Sequence, residues 1–297
     1  SIATGRQGMF VDMCQFLSNE QGLDVVDRSS IALNIQANDV KLRNNRVVRF
    51  AHFGVVNGTG HLIHANHFFQ GDDGGSGLRR AGLIFTQTNI STVVTGNYVD
   101  NCFIEWGNEH DSAPENSGEF SFGGLNIVGN VFIASNMSPA FRFVVVRPHG
   151  PGHYLNGFSL TSNSFRVFNG SIDRVDMVDT TFATLDFSQT RNVRVEGNSF
   201  NNVNQPIVNP LPLSHVQNTA SDTWNADGGG YIPFGGRIRL VESIVAEGVL
   251  LSATGQARYI APHATPGTGS GGSQAQLRFS EAVRGKAIVN MRMDLPL

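Results

Sequence analysis

One eight-residue pattern, apolar-x-apolar-x-x-Asn-x-apolar, recurs along this chain and restricts its fold more than any other feature. "VKLRNNRV" places Asn45 at the key position, "HLIHANHF" places Asn66 and "TVVTGNYV" places Asn97. "LNIVGNVF", "FSLTSNSF" and "VRVEGNSF" add Asn130, Asn163 and Asn198. His61 and Thr92 replace the first apolar residue in two copies. The spacings are 21, 31, 33, 33 and 35 residues, the periods of a repeat architecture. "LNIQANDV" also fits, with Asn38 at the key position, but it lies seven residues before Asn45. Both cannot mark the same corner of successive coils.

Alternation over three to five residues argues short strands. Asparagine tolerates the left-handed region and bonds its own backbone, so it turns a chain sharply at low cost. The apolar residue two beyond it (Val47, Phe68, Val99, Phe132, Phe165 or Phe200) points back inside. A second strand-like segment follows each corner: "FGVV" (53–56), "GLIF" (82–85), "FIEW" (103–106), "FRFVVV" (141–146), "TFATLDF" (181–187) and "PIV" (206–208). A coil that returns above itself once per period pairs each strand with its copy one layer up, about 4.8 Å away. The expected architecture is all-β, a right-handed parallel β-helix over residues 30–210 with a ladder of stacked corner amides. Six such layers make a shaft roughly 30 Å long. A β-sandwich also has short strands, but it does not demand one Asn motif at these intervals.

Composition agrees. The chain has 34 glycines and 27 asparagines but only two lysines, which suits turn-rich β structure and not a helical bundle. A net charge of -3 gives no electrostatic reason to expect nucleic acid. No stretch reaches the ~18 apolar residues of a membrane span, so membrane insertion is not expected. Cys14 and Cys102 fit neither a disulfide framework nor a zinc spacing and read as small buried hydrophobes. Residues 1–29 read as an N-terminal cap, with "MFVDMCQFL" (9–17) as an amphipathic helix bearing Phe10, Met13, Cys14 and Leu17 on one face. Residues 211–236 read as a connector. Residues 237–297 read as a small antiparallel, β-sandwich-like domain, with "GTGSGGSQ" (267–274) as a hairpin tip. So small a domain favours oligomerisation, most simply as a trimer clasp.

The densest polar stretch is "EWGNEHDSAPENSGEF", carrying Glu105, Glu109, His110, Asp111, Glu115 and Glu119. Three readings stand together: a solvated acidic loop, a sugar-binding loop, and a loop supplying one or both carboxylates for glycoside cleavage. Trp106 suits sugar stacking. Arg142, Arg147 and His149 belong one layer higher. An arginine there either forks onto a sugar carboxylate or pairs with Glu105. Asp186, two layers from Glu105, would stand about 9.6 Å away at the backbone, near the inverting range. Glu105, Glu109 and Asp186 are therefore the catalytic candidates. Asp72 and Asp73 in "GDDGGSGLRR" follow no nucleotide or EF-hand spacing. His61, His64 and His67 do not converge on one face, and "DRVDMVD" (173–179) reads as a polar loop or single turn. No metal and no cofactor is implied.

The "GN-x-F" corners resemble those of pectate-lyase-like β-helix proteins over roughly residues 30–210. The runs "GNYVDNCFIEWGNEHD", "FSFGGLNIVGN" and "DTTFATLDFSQTRNV" resemble proteins related to family 28 glycoside hydrolases, and with them spike proteins of tailed phages and gene transfer agents. That resemblance implies a homotrimeric spike on a virion or phage-like particle, outside the cell. It would attach to a capsid or tail protein through an N-terminal segment and take cell-surface polysaccharide as ligand. The Arg-x-Lys motif of true polygalacturonases has no counterpart in the expected context. The alternative is a polysaccharide lyase or glycoside hydrolase on the same fold, and fold alone does not choose between them.

Overall fold

A computed structural model describes residues 8–20, 29–71, 79–116, 118 and 120–295. The chain divides into two compact units, residues 1–186 with 194–206, and residues 187–193 with 207–297.

The first unit is a right-handed parallel β-helix. Among the described residues it is built on three parallel sheets of seven, seven and six strands. Each turn contributes one strand to a sheet, and neighbours in a sheet are always copies from adjacent turns. Inward residues form columns. Leu42, Ile63, Val94, Ile127 and Leu160 lie in register along the first sheet and are fully buried. Phe16, Val47, Phe68, Val99, Phe132, Phe165 and Phe200 do so along the second. The rings of Phe132 and Phe165 stack at 4.9 Å, and those of Phe165 and Phe200 at 5.5 Å.

The six corner asparagines line up as expected, and their bonding pattern repeats. Each carboxamide oxygen from Asn66 to Asn198 accepts both the backbone N–H and the Nδ2 of the asparagine one turn earlier, all at 2.9–3.0 Å. A further Nδ2 bond reaches a strand carbonyl, such as Leu42 from Asn66 and Ile63 from Asn97. These polar groups are buried yet satisfied, which is the condition for keeping them inside. The left-handed residue is not the asparagine but the one before it: Met13, Asn44, Ala65, Gly96, Gly129, Ser162 and Gly197 all have φ between 54° and 66°. Asn38 is not part of the ladder. It turns a different corner, where its oxygen accepts the Thr59 N–H.

The helix expected over residues 9–17 is instead two strands, Phe10–Asp12 and Gln15–Leu17, paired with the next turn. A strand, a corner and a second strand place apolar residues at helix-like intervals, which is why the pattern misled. Phe10, Met13 and Leu17 are exposed. Cys14 takes the ladder position, donating its N–H to Asn45 Oδ1 at 3.0 Å. It is exposed, not buried.

In the second unit the 19-residue strand Gln274–Arg292 is central. Leu211–Asp227 pairs antiparallel along one side, and Leu240–Ala246, Leu250–Ser252 and His263–Thr268 along the other. The segment expected to be a connector is therefore mostly a 17-residue strand. Its prolines and polar residues disguised it. Pro212 pairs with Asn290 next to the strand's first residue, where a missing N–H is tolerated. Alternate residues of the central strand, Ala275, Leu277, Ala287, Val289 and Met291, are buried with Trp224.

Candidate functional site

The candidate site lies on the outer face of the third sheet of the β-helix. There the strand Phe103–Gly107 pairs with Val144–Arg147, which pairs with Asp176–Val178. Neighbouring residues of a strand point to opposite faces. Ile104 and Trp106 therefore turn inward, and Glu105 turns outward beside Val145 and Met177.

This alternation overturns the stacking role expected of Trp106. It is completely buried and in register with Phe85 and Val146. Its ring packs edge-on to Phe122 at 5.1 Å, and its Nε1 donates to the Gln87 carbonyl at 2.9 Å. It is a core residue. Asp186 is corrected as well. The third-sheet strand in its turn is Asp176–Val178, and "TFATLDF" lies beyond it without strand structure. The residue two layers above Glu105 is Met177. "PIV" likewise forms no third-sheet strand.

The carboxylate that does join Glu105 is Asp179, at the end of the 173–179 segment expected to be a polar loop or single turn, where Asp176–Val178 is instead a strand. Arg147 bridges the two. Its Nη1 lies 3.0 Å from Glu105 Oε1, and its Nε and Nη2 each lie 2.7 Å from Asp179 Oδ2. Burial pushes the Glu105 carboxyl up, against the pull of Arg147. Asp179 is also partly buried, but bonds from Thr181 and Arg147 outweigh burial and hold it low. The signal for Asp179 is the alternation in "VDMVD", which puts it on the same outward face as Met177. Three aspartates at intervals of three hid it.

Beside this trio runs an open groove of about 250 Å³ with a floor of Phe103, Phe141, Val145 and Met177. Arg142, Arg147 and Asp179 stand on its rim, with Arg79. Arg142 donates to the carbonyls of Pro139 and Phe141 and lies 3.7 Å from Asp173. His149 packs over Gly107, the residue after Trp106; a Cβ at Gly107 would stand 3.7 Å from the imidazole. Burial lowers the His149 pKa, although Glu109 and Asp111 act the other way. Glu109 and His110 are exposed and 3.9 Å apart. Glu105, Arg147 and His149 are thus gathered with Arg142 and the charges of Glu109 and Asp111, whereas Trp106 and Asp186 are not.

The loop carrying Glu109 is braced from below. Asn108 is fully buried; its Oδ1 accepts the His149 N–H at 2.8 Å and its Nδ2 donates to the Pro114 carbonyl at 2.9 Å. Buried His153 lies 3.3 Å from Asn108 Nδ2 and 3.1 Å from Ser121 Oγ. Asp72, Asp73 and Glu119 lie outside the described residues. Among the described residues, no group of three or more His, Cys, Asp or Glu side chains is placed to hold a metal ion, and no helix is long and apolar enough to cross a membrane. No protein-family model, curated protein or solved structure matches this chain.

Proposed function

We propose that the β-helix binds cell-surface polysaccharide along the outer face of its third sheet, as the shaft of a phage-like or gene-transfer-agent spike. The observation that carries this reading is the groove itself: an aromatic and aliphatic floor flanked by arginines and a carboxylate. A pyranose has the same mixture, C–H faces bounded by hydroxyls and acids. Guanidinium forks suit sugar carboxylates and hydroxyls, and the rings suit its C–H faces. In the second unit, Val216, Val245, Val249 and Tyr259 are exposed apolar side chains of the kind an oligomer covers. A homotrimer would present three grooves and multiply weak contacts into useful avidity.

Affinity electrophoresis through gels containing dextran, polygalacturonate, alginate or hyaluronate, together with a bacterial-glycan array, tests the reading. Retarded migration or array binding supports it, and silence in both removes it. Sedimentation tests the trimer.

A second reading has one observation in its favour. Glu105 and Asp179 share Arg147 and are pushed in opposite directions, one toward the protonated acid and one toward the carboxylate. Opposed acidities mark acid and base pairs in glycoside hydrolysis. New reducing ends, or unsaturated product absorbing in the ultraviolet, after incubation with the same polysaccharides would establish cleavage.

A further inference from the structure

Phe103 and Phe141 line the groove itself, and Trp106 is buried. We propose that Phe182 is an exposed aromatic platform outside that lining, its open face receiving one pyranose ring of the bound polysaccharide. This inference rests on the glycan-binding reading.

Phe182 is 61% exposed. One face of its ring is occupied: it stacks on His149 with centroids 4.5 Å apart and planes at 21°. His149 in turn lies over Gly107. The three residues come from successive turns and form an outward column, a glycine, an imidazole and a phenyl ring. The column starts one residue beyond Trp106 on the strand that carries Glu105.

The platform is held from both ends. The His149 backbone is tied to buried Asn108. Thr181, the residue before Phe182, donates to Asp179 through its backbone N–H at 3.0 Å and its hydroxyl at 2.5 Å. Asp179 is the groove carboxylate held by Arg147. Phe182 is therefore fixed one residue from a rim contact, so a sugar stacked on it has Asp179 and Arg147 within the span of adjoining residues. The stack on His149 leaves the Phe182 ring less freedom to lose on binding than a ring with no neighbour would have.

Phe10 and Phe168 differ. Lys41 sits over Phe10 at 5.0 Å and Arg166 over Phe168 at 5.4 Å. Among the described residues no cation covers Phe182. Its free face is apolar and flat, a surface that the C–H face of a sugar can cover.

The test is affinity electrophoresis of the full chain and its Phe182→Ala, Phe182→Leu and Phe182→Trp variants in whichever of the dextran, polygalacturonate, alginate or hyaluronate gels retards the wild type, or array titration if only the array responds. Phe182→Ala and Phe182→Leu should weaken binding about five- to tenfold per site, and Phe182→Trp should preserve or strengthen it. All three should keep the wild-type melting temperature, because the ring is mostly outside the core. Wild-type binding unchanged by Phe182→Ala overturns the platform and leaves the glycan reading intact. Equal binding by the Leu and Trp variants overturns aromatic stacking in favour of simple apolar contact. A wild type silent in every gel and on the array removes the glycan reading and the platform together.

Discussion

Asn97 and Asn130 are joined twice through a single oxygen: the backbone N–H and the Nδ2 of Asn97 both donate to Asn130 Oδ1 at 2.9 Å. Asn130 repeats the arrangement with Asn163 and also sends its Nδ2 to the Val94 carbonyl. Removing the Asn130 carboxamide therefore leaves the Asn97 N–H without its acceptor and takes the Nδ2 donor from the Val94 carbonyl, both on the turn before, while Asn163 Oδ1 keeps the N–H of residue 130. Asn130→Ala should cost about 3 kcal/mol, since buried unsatisfied groups cost about 1–3 kcal/mol each and do not add fully. Asn198→Ala, at the partly exposed end, should cost less. Urea unfolding midpoints give the order directly. Equal losses at the two positions would mean that the ladder is not a cooperative buried unit.

Trp106 gives a second prediction. Trp106→Ala should destabilise the chain by about 3–5 kcal/mol, the range for truncating a large buried aromatic. Trp106→Phe should fold, losing chiefly the bond to Gln87. Both tryptophans are fully buried, so native emission should be blue-shifted and resistant to iodide. Strong quenching of the native chain by iodide or by a bound polysaccharide would contradict this placement.

The sequence made the ladder legible because one residue type must recur wherever an amide stacks on an amide, and all six asparagines stand where the motif put them. The Glu105 and Arg147 partnership was legible as one of two alternatives, because the strand pairing of FIEW with VVVR follows from the repeat. What the motif does not fix is the length of the excursion between corners. Asp179 and Asp186 are seven residues apart in one such excursion, and only register decides which belongs to the sheet. Trp106 was misread for a different reason. Its neighbour Glu105 faces outward, and strand alternation forbids both from doing so. In the first turn Cys14 replaces the ladder asparagine and only its backbone N–H takes part, so side-chain identity carried no signal.

The two cysteines should behave as opposites. Cys14 is exposed, and Cys102 is fully buried with its thiol pushed well up by desolvation. The thiolate is the reactive form. In native buffer a disulfide reagent should titrate Cys14 quickly and leave Cys102 untouched until denaturant is added. Cys102→Ser should be destabilising, because it places a hydroxyl in an apolar site, whereas Cys14→Ser should be nearly neutral. Two thiols reacting at similar rates in the native chain would place Cys102 outside the core.

Glu105 and Asp179 make the stability of the β-helix depend on pH in opposite senses. A carboxyl whose folded pKa lies above its unfolded value binds protons more tightly in the native state. Its contribution is full below the unfolded value, about 4.5 for Glu105, and is lost as pH rises through the folded value. Asp179 is held below 3.8, so its contribution is present above that value and lost as pH falls through the folded one. The two windows fall on either side of about pH 4, and each can be removed separately. Glu105→Gln should leave acid stability largely as it is while flattening the decline above about pH 4.5, so that its melting temperature gains on the wild type as pH rises toward about 7. Arg147→Met should be the costly change, about 3 kcal/mol near neutral pH, because it abandons a buried carboxylate. Combining it with Glu105→Gln should recover part of that loss, a coupling that a double-mutant cycle measures. Additive losses would show that Arg147 acts on Asp179 alone. A pH profile unaltered by Glu105→Gln would show that the buried carboxyl titrates alike in the folded and unfolded chain, and would withdraw the opposed acidities on which the cleavage reading stands.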